Sequence, residues 1–254
     1  MADTTFVSGT VITSEWANDV NDFTYNDLVN VKNSEWGAIA DNSTNDATAL
    51  NAAAVFCSTN NKTLFIPAGN YRISSTIVFE NCNIEAKGAV FYPDSSVTTG
   101  IQFGTASTIY TKRCTGLAVR GGGISTQPAL SSAIKIINAS QAVFDNVEAN
   151  RFPYGINVEP IDATRIAYCT FLHPYVHRCT QNFRIYVDTV TGYAAENTVI
   201  GGRLQRAAIP DDCDYHVYAE KTSGSGSINH WRWWGTAMES STGATQPLSA
   251  MRLR

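Results

Sequence analysis

The fold is decided by four short runs that resemble one another, Ala133-Ile134-Lys135-Ile136, Gly155-Ile156-Asn157-Val158, Arg184-Ile185-Tyr186-Val187 and His216-Val217-Tyr218-Ala219. Aligned on their second residues, the runs lie 22, 29 and 32 residues apart. Each alternates apolar and polar side chains, which is the pattern of a β-strand with one buried face. Turn residues separate the runs, so the chain returns to equivalent positions at a rough period.

A second series of strand-like runs keeps a similar rhythm, Ala142-Val143-Phe144, Arg165-Ile166-Ala167, Thr198-Val199-Ile200 and Ile228-Asn229-His230. Two ladders with a common period are typical of a solenoid. No helical period is long enough for βαβ units. The sequence therefore predicts an all-β protein whose parallel strands stack in coils, and a β-sandwich with the same strand count remains the alternative.

The composition agrees with long β ladders and turns. The 254 residues contain 27 Thr, 20 Ser and 20 Asn, and only 16% are charged. A net charge of −4 argues against the broad cationic surface that binds nucleic acid nonspecifically. No basic segment precedes an apolar stretch at the start, and no run of 18 apolar residues occurs, so neither a signal peptide nor a membrane span is predicted.

The acidic charge is concentrated near the N-terminus, where residues 1–50 hold eight acids and a single base, Lys32. Within this part, Trp16, Val20 and Phe23 form one stripe of a helix predicted over Ser14–Val29. Asn and Asp residues weaken that helix, so its stability must come from packing. It either folds onto its own domain or docks on another protein.

Two stretches carry a resemblance to known families. Residues 6–12 (FVSGTVI) and 15–22 (EWANDVND) are similar to the N-terminal segment of bacteriophage tail fibre and tailspike proteins, the part attached to the virion. Residues 36–53 and 64–73 resemble the beginning of pectate-lyase-like right-handed β-helix proteins, with Ala40-Asp41-Asn42 where that family usually has Gly-Asp-Gly. Phage tailspikes commonly combine both segments.

A helix at about residues 44–57 is predicted to cover the first coil. Its apolar stripe consists of Ala47, Leu50, Ala54 and Cys57, and Ser43 with Asp46 has the spacing of a capping box. Such a helix would cover strand edges that an open stack leaves unpaired.

The aligned runs also predict a candidate catalytic site. Side-chain alternation places Glu159, Asp188 and Glu220 on the outer face at equivalent positions of three successive coils. Glycoside cleavage uses a protonated carboxylic acid beside an ionised carboxylate. Tyr186 and Tyr218, which point outward by the same parity, would stack on sugar rings. In the alternative, Arg184, His216, Lys221 or a turn loop spreads the carboxylates apart in a polar outer rim.

Other residue patterns give weaker signals. Trp233 and Trp234 are candidates for sugar binding. Trp231 and Trp233 would lie on the same face of the strand, and one of the two faces should belong to the core. Cys169, His173, His177 and Cys179 bunch together, but their spacing matches no common zinc motif. Gly121-Gly122-Gly123 is a tight turn in this interpretation. The six cysteines are interpreted as reduced, mostly buried thiols, and neither a metal ion nor a cofactor is predicted.

The resemblance implies a phage tailspike or tail fibre component. Residues 1–33 would attach it to the virion through Trp16, Val20 and Phe23, and residues 34–254 would present the β-helix to host surface polysaccharide. The implied partners are two further copies in a homotrimer and phage tail or adaptor proteins, with assembly in the host cytoplasm and a final place in the virion tail. A polysaccharide depolymerase activity, by hydrolysis or elimination, is one hypothesis. A purely structural tail protein is the other.

The last residues, Leu248 to Arg254, look like a strand that is just beginning. Natural solenoids cover their terminal coils. We therefore expect either a longer native chain or a partner that covers this end.

Overall fold

The computed structural model describes residues 27–189, 191–206, 214–223, 226–240 and 249–253. Within these ranges the chain forms a parallel β-helix of 27 strands, numbered β1 to β27 in chain order. The solenoid prediction is confirmed, and the sandwich alternative is wrong because the neighbouring strands pair in parallel.

The strands form four sheets. Sheet I contains β1 (Leu28–Asn30), β3 (Thr63–Phe65), β6 (Asn83–Glu85), β9 (Arg113–Thr115), β13 (Val143–Asp145), β17 (Thr170–Leu172), β21 (Thr198–Ile200) and β25 (Arg232–Trp234). Sheet II contains β2 (Asp41–Asn45), β4 (Gly69–Ile73), β7 (Ala89–Pro93), β10 (Ala118–Arg120), β14 (Glu148–Asn150), β18 (Tyr175–His177), β22 (Arg203–Arg206) and β26 (Ala237–Ser240).

Sheet III contains β5 (Ile77–Phe79), β8 (Thr99–Phe103), β11 (Ser132–Ile136), β15 (Tyr154–Val158), β19 (Gln181–Asp188), β23 (Tyr215–Ser223) and β27 (Ser249–Leu253). Sheet IV contains β12 (Ala139–Ser140), β16 (Arg165–Ala167), β20 (Tyr193–Ala195) and β24 (Ser227–Asn229). The chain runs from sheet I through II, III and IV in each complete coil. The second series of runs therefore mixed two sheets: those containing Val143 and Val199 lie in sheet I, and those containing Ile166 and Ile228 lie in sheet IV.

The first coil begins earlier than the sequence predicted. Strand β1 pairs with β3, so Leu28–Asn30 already belong to the stack, although they lie inside the range predicted for the attachment segment. The predicted attachment residues Trp16, Val20 and Phe23 lie outside the described residues.

Helix α1 spans Ala47–Asn60, a few residues beyond the predicted range, and it takes the place of a sheet III strand in the first coil. Its predicted stripe is buried. The predicted capping box is wrong because the carboxylate of Asp46 accepts hydrogen bonds from the amides of Ile39 and Ala40, 2.8 and 3.0 Å away. The Ser43 amide and hydroxyl bond instead to Asp41.

Helix α1 closes sheet III through one side-chain amide. The Asn51 Nδ2 donates to the carbonyl of Thr76 (3.0 Å), and the Val78 amide donates to Asn51 Oδ1 (2.9 Å). The amide group thus pairs with the first strand of the sheet as a neighbouring peptide would.

An Asn51→Ala variant is expected to unfold about 1–3 kcal/mol more easily, because two part-buried backbone groups lose their partners. Asn60→Ala is the control, since Asn60 on the same helix donates to Phe56 at an exposed position and should change stability by less than about 0.5 kcal/mol. Urea unfolding of both variants measures the difference. Equal losses would contradict the role of Asn51.

The interior is an aromatic and aliphatic column along the stack. Ring centroids lie 4.9 Å apart between Phe103 and Phe144, 5.0 Å between Phe144 and Phe171, and 5.2 Å between Phe171 and Phe183. The five cysteines among the described residues are buried, as predicted. The column ties successive coils together by apolar burial.

From β9 onward, the turns from sheet I to sheet II share a left-handed residue. It lies directly after the sheet I strand and is Gly116, Asn146, His173, Gly201 or Gly235 in successive coils, with φ between 49° and 75°. Glycine and asparagine tolerate this conformation best. The repetition gives these coils the same corner.

His216 is a buried titratable group in sheet III, 2% exposed. Its Nδ1 lies 3.1 Å from Asn182 Nδ2, so Nδ1 accepts and the ring proton is on Nε2. Burial, reinforced by the charge of Arg206, lowers the pKa of His216.

Because the unfolded chain binds this proton more readily, His216 is expected to make the protein less stable as the pH falls below about 6.5, by up to about 1.4 kcal/mol per pH unit. The His216→Gln variant should show a flatter dependence of unfolding free energy between about pH 7 and 5. His230→Gln, at an exposed position, serves as the comparison. A pH profile of His216→Gln that runs parallel to the parent would contradict the prediction.

Candidate functional site

The outer face of sheet III gathers polar and aromatic side chains from successive coils. Strand register places Lys135, Asn157, Arg184 and Tyr218 side by side on β11, β15, β19 and β23. Neighbouring members of this column are separated by one strand spacing, about 4.8 Å.

Glu159 lies at the centre of the cluster, directly after β15. One carboxylate oxygen is 2.8 Å from Lys135 Nζ, and the other is 2.8 Å from Asn157 Nδ2 and 2.9 Å from Arg184 Nη1. Burial acts to raise the pKa of Glu159, but Lys135, Asn157 and Arg184 outweigh it, so that the pKa is lowered. Glu159 is therefore an ionised, firmly positioned carboxylate at neutral pH.

Arg184 is the least exposed cation of the cluster and lies between two aromatic rings. Its guanidinium carbon is 4.3 Å from the ring centre of Tyr154 and 3.8 Å from that of Tyr186. Its Nη1 also donates to Asn157 Oδ1 at 3.2 Å. Stacking and hydrogen bonds together fix the guanidinium against Glu159.

Glu220 belongs to the same face one coil beyond Tyr186, its direct partner in the register. The Tyr218 hydroxyl donates to its carboxylate. Burial and this contact raise the pKa of Tyr218 to about 12. Tyr218 therefore remains a hydrogen-bond donor to Glu220 over the physiological range.

The predicted ladder of three equivalent carboxylates is wrong. Ile156 pairs with Phe183, not with Ile185, so the sequence alignment was two residues out of register on β19. The position between Glu159 and Glu220 is Tyr186. Asp188 pairs with Ser223 beyond a bulge and accepts hydrogen bonds from Tyr186, at 3.3 Å, and from Thr222.

The strand register sets the spacing between Glu159 and Glu220. Glu159 and Glu220 are two strand spacings apart, about 9.6 Å between backbones. Carboxyl separations of about 6.5–9.5 Å accommodate a water molecule beside the sugar and are typical of inverting glycosidases, whereas retaining enzymes need about 5–5.5 Å. The backbone spacing of this pair is therefore closer to the inverting range than to the retaining one.

The predicted sugar-binding aromatics occupy different environments. Tyr186 is partly exposed and has Arg184 over its ring, whereas Tyr218 is only 7% exposed. Trp233 faces the interior, with its ring 5.2 Å from that of Phe183, and Trp234 lies on the outer face of sheet I with 63% exposure. The structure therefore does not bring these four residues into one site.

Three members of the cluster were missed in the sequence as site residues: Lys135, Asn157 and Arg184. They share the outward parity of the aligned runs, which was the available signal. His173 and His177 face carboxylates, Asp145 at 3.7 Å and Glu148 at 3.5 Å. Within the described part of the chain, no group of three His, Cys, Asp or Glu residues is placed to hold a metal ion, and no helix there is long and apolar enough to cross a membrane.

Comparisons with known proteins give a family and a distant structural neighbour. Residues 28–242 match the family model described as rhamnogalacturonase A/epimerase, pectate lyase-like. A solved structure of ORF18 from Geobacillus virus E2 is similar at 13% sequence identity with a TM-score of 0.36, over 87% of this chain and 43% of the other chain. This chain thus spans less than half of that protein. No curated protein matches.

Proposed function

Because the chain belongs to the rhamnogalacturonase A/epimerase, pectate lyase-like family, we propose that it binds polysaccharide on the outer face of sheet III. We further propose that it does so as a phage tail component attached to the virion by its N-terminal residues. The observation that carries the first proposal is the convergence of ring faces, carboxylates and cations on this face.

The side chains at this face match the chemistry of a polysaccharide. Tyr154 and Tyr186 contribute partly exposed rings from neighbouring coils. Arg184 covers one face of each ring, and the opposite face would pack on the C–H face of a sugar. Glu159 and Lys135 are about one quarter exposed and offer an acceptor and a donor to hydroxyl groups. Preformed apolar and polar contacts of this kind are what a ligand site requires.

The two glutamates support hydrolysis by single displacement. Glu159, kept ionised by its partners, would take a proton from a water molecule that attacks the anomeric carbon. Glu220, when its carboxyl group is protonated, would give that proton to the departing glycosidic oxygen as that bond breaks, so that the product is inverted. Tyr218 would hold the carboxyl group of Glu220 in place.

A non-catalytic tail protein is the second candidate. The contacts of Glu159 with Lys135 and Arg184 connect three neighbouring strands, β11, the end of β15 and β19. Such a network stabilises a stack even when no bond is cleaved. The tail assignment itself is supported by the resemblance of residues 6–22 to tail fibre and tailspike segments.

The functional test uses an array of purified bacterial capsular polysaccharides and O-antigens. The full chain should bind at least one of them, and incubation should release reducing ends without the ultraviolet absorbance of unsaturated sugars. Binding without new reducing ends would support the non-catalytic candidate. No binding to any glycan on the array would overturn the proposal.

The attachment proposal has its own test. Light scattering should give the mass of a trimer at micromolar concentration. Trp16→Ala should reduce incorporation into virions more than it reduces the stability of the β-helix. A monomer, or equal loss of incorporation and stability, would count against a separate attachment segment.

A further inference from the structure

Leu130 occupies a backbone position that leucine rarely takes. The Ser131 amide donates to the Pro128 carbonyl at 3.1 Å, which closes a four-residue turn, and Leu130 is the third residue of that turn with φ of 66°. A positive φ at this position defines turns that normally carry Gly or Asn there. Elsewhere this chain has Gly116 and Asn146, but also larger residues such as Gln141 and Tyr168, at comparable left-handed positions.

The Leu130 side chain is also 74% exposed. The fold therefore gains little apolar burial from it while accepting an unfavourable backbone conformation. Glycine or asparagine would serve the turn better. Strained residues that the fold does not need are found preferentially at functional sites.

The turn lies at the edge of the sheet III face. The Ser131 carbonyl accepts a hydrogen bond from the Tyr154 amide at 3.0 Å. Ser132 then begins β11, and its hydroxyl lies 3.0 Å from Asn157 Nδ2. Leu130 is thus two residues along the chain from Ser132, which accepts a hydrogen bond from Asn157 of the Glu159 cluster.

We propose that Leu130 is a specificity-determining residue that packs on a non-polar patch of the bound glycan, such as the C–H face of a pyranose ring or a methyl group on it. The proposal rests on the proposed polysaccharide binding and names the contact that selects the ligand. The polar cluster offers hydrogen bonds to the hydroxyl groups of a glycan, and an exposed aliphatic side chain adds an apolar contact to them.

The test compares Leu130→Asn with Tyr168→Asn. Tyr168 has a similar backbone conformation, with φ of 57°, and is 62% exposed, but it lies between sheets IV and I, away from the sheet III face. Both variants should melt at or above the temperature of the parent. On the polysaccharide array, Leu130→Asn should lose about tenfold in affinity for the glycan that the parent binds best, whereas Tyr168→Asn should keep it.

Three other outcomes would contradict the inference, and the measurements distinguish them. If the parent binds glycan and Leu130→Asn binds equally well, the inference is wrong and the proposed function stands. If Leu130→Asn changes the mass measured by light scattering and not the affinity, the side chain faces another protein copy. If the parent binds no glycan on the array, the proposed function and the inference fall together.

Discussion

A Glu220→Gln variant is expected to fold as the parent does and to cleave polysaccharide about 10²- to 10⁴-fold more slowly, the usual contribution of a general acid. The amide oxygen can still accept the hydrogen bond that the Tyr218 hydroxyl donates to Glu220, which preserves the local structure. The amide cannot release a proton to the departing sugar. Rates of reducing-end formation and thermal melting together measure the effect.

Glu159→Gln is the less informative change at the same site. It removes the negative charge between Lys135 and Arg184, and a guanidinium as little exposed as that of Arg184 is costly without its counter-ion. We therefore expect lower stability as well as lower activity. Parental cleavage rates in Glu220→Gln would dismiss this pair of glutamates as the cleavage site.

The largest loss of stability is expected for Gly104→Ala, about 3–5 kcal/mol. Gly104 has φ of 75°, and an added Cβ would lie 2.0 Å from the backbone oxygen of Asn138. That oxygen also accepts the amide of Tyr110 at 3.0 Å, so relief of the clash would disturb the next coil. Chemical unfolding of the purified variant gives the value.

Gly37→Ala is the matched control. Gly37 has φ of 77°, yet no heavy atom beyond its own residue and its two chain neighbours lies within 4 Å of the position that an added Cβ would take. The variant should lose about 1–2 kcal/mol, the cost of the left-handed conformation alone. Similar losses in both variants would show that the crowding at Asn138 is relieved by movement.

The β-helix was predictable because its signals are local and repeated. Apolar alternation at Ile134, Ile156 and Val217 indicated stacked strands but left a β-sandwich open, and the resemblance of residues 36–53 and 64–73 favoured the β-helix. The stripe from Ala47 to Cys57 identified the covering helix. The capping box failed because Asp46 bonds to two amides upstream of it in the chain. Such tertiary contacts are invisible in a four-residue spacing.

The site was predictable only in part because alternation fixes the face of a side chain and not its register. Strand β19 contains two apolar residues of the same parity, Phe183 and Ile185, and either satisfies the pattern opposite Ile156. The choice of Ile185 displaced Asp188 by two residues. The hydrogen-bond ladder, which pairs Ile156 with Phe183, decides between them.

Lys135 and Arg184 were missed for a related reason. In the sequence they are ordinary outward-facing bases of a sheet, and their distance along the chain from Glu159 gives no hint of contact. The stacking of the coils brings all three within hydrogen-bond distance. Only a correct alignment of three strands would have revealed the cluster.

The repeated left-handed corner between sheets I and II, at Asn146, His173 and Gly201 for example, bears on how this chain can change in evolution. A duplication or deletion that runs from one such corner to the next adds or removes a complete coil, so that inward and outward side chains on either side keep their faces. A deletion that begins and ends at unrelated points would turn core residues toward solvent. Whole coils are therefore the natural unit of insertion and loss for this protein.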